Sequence, residues 1–274
     1  MTNVKTSQLP YLTNLRSLNY ENKVRRPIII DGCNILKCGS IFKKGQDQIP
    51  EVLALLAVIR YFVINDFEVI VVMLASYMSC VNFEYAMQKL IDADICMLAG
   101  QGIHDDIRVL NIAINTNGVS LTADYYRDHA SSSMLGGDSV AHSWIGLRFT
   151  DIEPECQFSV NMDGDFIAGK MFNFSNRQRG PMPKEDVEKS LLVDVDDPFY
   201  EMALERRNRM WNKEWKNKTV DLLNELIREG NQLLILKNKN YVKKYSEMKI
   251  PRQPSETIIE RLSANVESNF EFEM

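Results

Sequence analysis

Asp31, Asp105, Asp106, Asp124 and Asp128 are the residues of this sequence best placed to do chemistry together, as one acidic catalytic centre. Asp31 ends the apolar run PIIID, Asp105 and Asp106 open the run DDIRVLNIA, and Asp124 ends GVSLTAD, with Asp128 one helical turn further on. In a doubly wound sheet, the polar residues just past the carboxyl ends of the strands meet in one crevice. Carboxylates gathered there repel one another and raise their own pKa values unless a cation neutralises them. Hard oxygen ligands select Mg²⁺ or Mn²⁺, which keep several waters and bind substrate phosphate. A water activated by such an ion and aimed in line at a phosphodiester is a nucleophile, so phosphodiester hydrolysis is the reaction this set suits best.

A plainer role stands beside each residue. An Asp in the position of Asp105 more often just caps its helix. Asp31 followed by Gly32 reads as an ordinary turn, and Asp128 alone reads as a solvated helix residue. Their joint occurrence at three loops on one sheet edge favours the chemical reading.

The elements that must position these acids follow from hydrophobic patterning. PIIID reads as a buried strand, followed by a polar loop with Gly39 and Gly45 that ends at Pro50. EVLALLAVIRYFVIN predicts a helix, EVIVVML a strand, FEYAMQKLIDA a helix, ICML a short strand, DDIRVLNIAINTN a helix and GVSLTAD a fourth strand. Four strands alternating with three helices predict an α/β fold, with a parallel sheet, right-handed crossovers and helices on both faces. Beyond the Ser/Gly stretch SSSMLGGDS, DSVAHSWIGLRF suggests one more helix and CQFSV a last strand, closing the unit near residue 170.

The chain thus divides into an N-terminal arm (1–24), an α/β domain (25–170) and a charged helical extension (171–274). In the extension, FYEMALERRNRMWNKEWKNKTVDLLNELIREG reads as one or two exposed helices. Arg209, Trp211 and Trp215 interleave base and aromatic in a way that can stack on single strands. Leu222, Leu223, Leu226 and Ile227 form a stripe that packs on the domain or on a partner helix. Packing is the safer reading, and the extension is expected to meet proteins rather than RNA.

DGCN at the first strand end, the pair in HDDIRVLNIA and the run GVSLTADYYRD together resemble the Regnase/MCPIP family of NYN-domain endoribonucleases. That family carries DG, Ser or Cys, then Asn; a DD pair before a helix; and a strand leading into S-N-D-x-Y-R-D. HSWIGLRF followed by CQFSVNMDGDFIAG also resembles the family's closing helix and strand, so the similarity covers the 25–170 domain. The resemblance implies a PIN-like (NYN) fold with a central parallel sheet, Mg²⁺ dependence with Mn²⁺ as an alternative, and endonucleolytic cleavage of single-stranded or loop RNA. It implies a metal centre of Asp31, Asp106, Asp124 and Asp128, with Asp105 as neighbour, Asn34 orienting the first loop and Arg127 beside the final acid.

Three departures from the family pattern stand out. LAGQGIHDD carries no basic loop before the Asp pair, Thr122-Ala123-Asp124 replaces S-N-D, and no three-cysteine, one-histidine motif follows the nuclease domain. These absences fit nematode relatives that act in small-RNA pathways. Candidate RNA contacts are Asn34, Lys37, Lys43, Lys44, Arg108 and Arg127, with His104 beside the Asp pair and His129 and His142 read as packing or surface residues. Lys43 and Lys44 taken singly are more often solvated surface charges.

A net charge of −5 excludes a global basic field, so any hold on nucleic acid must be local. Cys33, Cys38, Cys80, Cys96 and Cys156 have no paired metal-ligand spacing and read as reduced, mostly buried thiols. The N-terminus lacks a secretory core and no apolar run approaches the ~20 residues of a membrane span. A soluble protein is expected, cytoplasmic by preference, with the nucleus or granules as other locations and self-association left open. The sequence therefore reads as a metal-dependent endoribonuclease acting in RNA decay or RNA silencing. Its first rival is an inactive relative kept as an RNA-binding or scaffolding module. A phosphatase or phosphotransferase on the same sheet is weaker, because DGCN lacks the D-x-D context of an Asp nucleophile.

Overall fold

The apolar runs of the chain become strands of one sheet, and the helices between them cover its two faces. In chain order come β1 (Lys23–Arg25), β2 (Ile28–Asp31), α1 (Gly32–Cys38), α2 (Val52–Ile64), β3 (Val69–Leu74), α3 (Glu84–Asp92), β4 (Cys96–Ala99), α4 (Asp105–Asn115), β5 (Val119–Thr122), β6 (Trp144–Phe149) and β7 (Phe172–Ser175). Then follow α5 (Lys184–Leu191), β8 (Leu192–Asp194), α6 (Tyr200–Met210) and α7 (Lys213–Leu236). This computed structural model describes residue 15 and residues 18–38, 52–81, 83–100, 105–122, 144–149, 172–175 and 182–236.

Six of the described strands form a sheet of order β4-β3-β2-β5-β6-β7, parallel throughout except for the antiparallel edge pair β6 and β7. Period-two alternation divides its side chains cleanly. Ile28 and Ile30 of β2, with Val69, Val71 and Met73 of β3, face the core formed with α1, α2 and α3. Ile29 and Val72 face the opposite way, onto Val109, Leu110 and Ala113 of α4. The chain is thus a mixed α/β protein with a mostly parallel sheet flanked by helices, as its patterning predicts.

Three of the helix-to-strand turns share one device. Asp66, Asp94 and Asn117 adopt left-handed backbone with φ of 68°, 57° and 49°. The next amide reaches back to the helix, Phe67 to Phe62, Ile95 to Leu90 and Gly118 to Ala113. Each is a Schellman cap, in which a short Asx side chain tolerates the conformation that glycine usually supplies.

α2 is buried almost all the way round, from Val52 to Val63. A helix apolar on every side needs cover on both. The sheet covers one side, and α7 covers the other with Leu223, Leu226 and Ile227, while Arg60 of α2 donates through Nε to Asn224 Oδ1 at 2.7 Å. Gly230 of α7 lies so close to α2 that a Cβ there would meet Leu53 Cδ2 at 2.4 Å. The leucine stripe of the extension is therefore a packing face.

The C-terminal elements also close the amino ends of the strands. Arg206 makes two bonds to Glu68, at 2.5 and 3.2 Å, just before β3. Arg207 donates to the Asp66 carbonyl, Lys216 pairs with Asp66, and Arg26, just before β2, pairs with Asp197 at 3.2 Å. β8 pairs antiparallel with β1.

Three expectations are corrected. The stretch after PIIID begins with a helix, α1, because Ile35 and Leu36 bury against the core and Asp31 caps its first turn; the rest of that expected loop, 39–51, lies outside the described residues. WIGLRF is strand β6 rather than helix, because it has β5 on one side and β7 on the other to pair with. In the N-terminal arm, Leu15 and Leu18 enter the core and β1 pairs with β8. Of the four described cysteines, Cys33 and Cys96 are buried but Cys38 and Cys80 are exposed. The segment read as a final strand, CQFSV, lies outside the described residues, and the last strand of the sheet is β7 at 172–175.

Candidate active site

Asp31 occupies the last position of β2, 1 % exposed, on the face that α4 covers. Sheet register shows what stands beside it. Asp31 is paired with Val72 of β3, which is paired with Met97 of β4; on the other side, the pairing of Ile30 with Leu121 sets Asp31 next to Thr122, which is paired with Gly146, itself paired with Ser175. One row across the carboxyl ends of the strands is thus apolar on β4 and β3 and changes at Asp31.

Both carboxylate oxygens of Asp31 are engaged by uncharged donors. Thr122 donates its hydroxyl to Oδ2 at 2.9 Å, and the backbone N–H of Asn34 donates to Oδ1 at 3.1 Å. The second bond is an N-cap, so Asp31 ends β2 and starts α1 at once. Gly32 permits the sharp join: a Cβ there would lie 2.9 Å from both the Val72 carbonyl oxygen and Val71 Cγ1. Cys33 of the same turn accepts the Leu74 N–H at 3.3 Å, which ties α1 to the end of β3.

Asp105 and Asp106 are the first two residues of α4. A crossover helix runs against the strands it joins, so its start lies at their carboxyl ends, the edge that holds Asp31. Asp106 stands one turn before Val109 and Leu110, which pack on Ile29 and Val72, and so lies on the sheet side of α4. Arg108 follows, half-buried, with Nε buried and without a hydrogen-bond partner among the described residues.

Not every expected residue reaches this edge in the way its sequence suggests. Asn34 meets Asp31 through its backbone, while its side-chain oxygen accepts from Cys38 Sγ at 3.7 Å. Lys37 lies in the last turn of α1, not in a loop, with its ammonium 5.1 Å from the ring centre of Tyr77. Asp124, Arg127 and Asp128 lie outside the described residues, as do Lys43, Lys44, His104, His129 and His142. Among the described residues, no three of His, Cys, Asp and Glu gather as a metal-holding group.

Thr122 and Gly32 are the residues that sequence reasoning passed over. The first has a faint signal, a hydroxyl closing a buried strand two residues before an acid; the second has the DG pair itself. Cys96 is no rival nucleophile, because burial pushes its thiol up to about 12.

A mostly parallel open sheet with acids at its carboxyl edge is the PIN-like arrangement of the NYN nucleases. The Zc3h12a-like Ribonuclease NYN domain matches residues 24–164, more than half of the chain, and this chain belongs to that family. The match carries a nuclease function to the domain, with RNA as its substrate, and speaks for no branch of the family, nematode or other. No curated protein matches the chain. No helix among the described residues is long and apolar enough to cross a membrane.

Proposed function

We propose that this chain is an endoribonuclease that depends on a divalent ion, Mg²⁺ or in its place Mn²⁺, and hydrolyses phosphodiester bonds of single-stranded or looped RNA. The observation that carries this reading is the state of Asp31: a buried carboxylate at a strand end, aimed by a hydroxyl and an amide, in a ribonuclease family. Such donors fix the direction of the oxygens, which is what a hard cation requires of its ligand. The donor chemistry fits the ion, and Asp31, Asp106, Asp124 and Asp128 would hold it, with Asp105 beside them. When bound, the ion supplies a water of lowered pKa and takes up charge on the phosphate.

The chain's own residues set the stage for that chemistry. Thr122 keeps Asp31 from rotating, α1 shields it from one side, and α4 brings the Asp pair to the same edge. Asn34, Lys37, Arg108 and Arg127 hold the RNA backbone, and binding weakens as salt rises. Arg108 suits this role because it stands on the helix that begins with the Asp pair. RNA decay or silencing in the cytoplasm is the setting, and residues 171–274 are the region where partners meet the chain.

A second reading, an inactive member that binds RNA or scaffolds, is favoured by one observation: Asp31 already has a structural task as the cap of α1. A circular single-stranded RNA separates the two. An active endonuclease linearises it in Mg²⁺ and stops when EDTA is added; circles that stay intact in Mg²⁺ and Mn²⁺ while still bound contradict the proposal and leave the scaffold.

A further inference from the structure

Patterning alone leaves residues 209–227 between two readings, packing and stacking on single strands, and the structure divides the segment between them. Leu223, Leu226 and Ile227 are buried against α2. Trp211 and Trp215, at the joint of α6 and α7, stay partly exposed, with ring centres 5.7 Å apart and planes inclined at 67°. Trp215 packs on the core, whereas Trp211 stands outside it among the described residues. Packing therefore accounts for the leucines and leaves Trp211 unexplained.

The joint that carries the rings is pinned. Trp211 ends α6 in extended backbone, with its N–H bonded to the Arg207 carbonyl at 2.9 Å, and Asn212 caps α7 by accepting the Trp215 N–H at 2.6 Å. Arg207 sets its guanidinium carbon 5.0 Å from the Trp211 ring centre while Nη1 donates to the Asp66 carbonyl at 2.8 Å. Rings fixed before a ligand arrives spare it the entropy of ordering them.

Charge shows which ligand fits. The chain carries −5 overall, yet residues 200–218 hold six Lys and Arg against three Glu. Arg206 and Lys216 are matched by Glu68 and Asp66, and Lys218 by Glu214. Arg207 gives its bond to a carbonyl rather than a carboxylate, and Arg209 and Lys213, each two residues from Trp211, are exposed and in no ion pair among the described residues. Lys213 opens α7, where a cation works against the helix dipole, so the helix gains nothing from it. Rings flanked by such cations suit a single-stranded nucleic acid, with bases on the rings and phosphates on the charges. A protein partner fits less well, because the exposed neighbours Asn208, Arg209, Asn212, Lys213 and Asn217 are polar, with Met210 the apolar exception, and a protein interface wants an apolar centre.

We propose that Trp211 and Trp215 are a stacking platform for single-stranded RNA, with Arg207, Arg209 and Lys213 taking its phosphates. Both tryptophans lie beyond residues 24–164, so the family match does not speak for them. α6 and the start of α7 are tied to the residues just before β3, at the edge opposite Asp31, and the six residues of β3 set the two edges roughly 20 Å apart. The platform is a second hold on a strand whose cut is made elsewhere. It rests on the family's RNA substrate and not on the metal-dependent cut proposed above.

Fluorescence anisotropy of a labelled oligouridine of about 20 nucleotides, titrated with the full chain in low salt and EDTA, tests this. Trp211→Ala should raise the Kd by ~10-fold or more, and Trp211→Phe should stay within ~3-fold of the wild type. Lys213→Glu should raise it by ~5-fold, with a flatter dependence on salt; an acid at the start of α7 suits the helix dipole, so this variant keeps its fold. Far-UV melts check that the alanine variant is folded. A wild type that does not bind overturns the proposal. So does a phenylalanine variant as weak as alanine, or an alanine variant that binds as the wild type does, which would give the pair to packing or to a protein partner. If alanine unfolds the chain, Lys213→Glu decides, and unchanged binding by it overturns the proposal. Mg²⁺ added to the same RNA keeps the two readings apart: a wild type that binds through Trp211 and leaves the RNA intact contradicts the endonuclease and supports the platform.

Discussion

The two ends of this sheet treat charge in opposite ways. At the amino ends of the strands cations and anions are matched: Arg206 with Glu68, Lys216 with Asp66, Arg26 with Asp197. At the carboxyl ends Asp31 accepts from a hydroxyl and a backbone amide, and the pair Asp105 and Asp106 begins α4. Matched ions fasten elements together and have little left with which to attract anything else. A carboxylate oriented by a hydroxyl and an amide is the kind of ligand that a divalent cation takes. α6 and the start of α7 sit at the first end, so the pairs that fasten them to the sheet and the acids of the candidate site stand on opposite edges.

That division of labour can be strained from either side. Leu226→Ala, which opens the seam between α7 and α2, should lower unfolding free energy in urea by about 2–5 kcal/mol, because Leu226 is fully buried there. Cleavage per folded molecule should hold steady; a parallel loss of cleavage in folded protein would show that the two edges are not separate.

Thr122→Val removes the hydroxyl from Asp31 and should act at the other end. Cleavage should fall about 10-fold with the KM for RNA unmoved and the Mg²⁺ midpoint raised, and Thr122→Ser should restore both. A valine variant that cleaves normally would mean that the hydroxyl does not position Asp31.

The smallest effect concerns Lys23 and Glu188, which tie β1 to α5 at 2.6 Å. The hydrogen bond from Lys23 holds the Glu188 carboxyl below the usual carboxylate range, and the same bond raises the Lys23 ammonium above its own. The carboxylate therefore stabilises the fold above the ordinary Glu pKa and loses this as pH falls through its lowered value; the ammonium stabilises below the ordinary Lys pKa and loses this as pH rises through its raised value. Glu188→Gln should cost at most about 1 kcal/mol at neutral pH, less in high salt, and nothing in strong acid. A cost that persists in acid would point to packing rather than charge.

Much of this plan could be read along the chain. β-branched runs announced four parallel strands, and the rule that polar residues meet past strand ends pointed to Asp31, which does end β2, and to Asp124, which lies outside the described residues. What escaped was held by contacts distant in sequence. Thr122 meets Asp31 across 91 residues, and only the register reveals it. WIGLRF carries no period long enough to mark it as strand until β5 and β7 flank it. The turns at Asp66, Asp94 and Asn117 use Asx in place of glycine, so the usual stop signal was missing. The all-round apolar character of α2 did hold a clue to α7, since a helix without a polar face must be covered twice.

The central claim is that Asp31 serves chemistry more than structure, and one paired measurement tests it most directly. Single-turnover cleavage of a labelled single-stranded RNA in Mg²⁺ and urea unfolding are recorded on the wild type and on Asp31→Asn. Asparagine keeps an oxygen for the Asn34 amide, and the Thr122 hydroxyl can turn to accept, so the fold should lose no more than about 1 kcal/mol. Cleavage should fall by at least ~100-fold. Undiminished cleavage by a folded Asp31→Asn protein would contradict the account and leave Asp31 as the cap of α1.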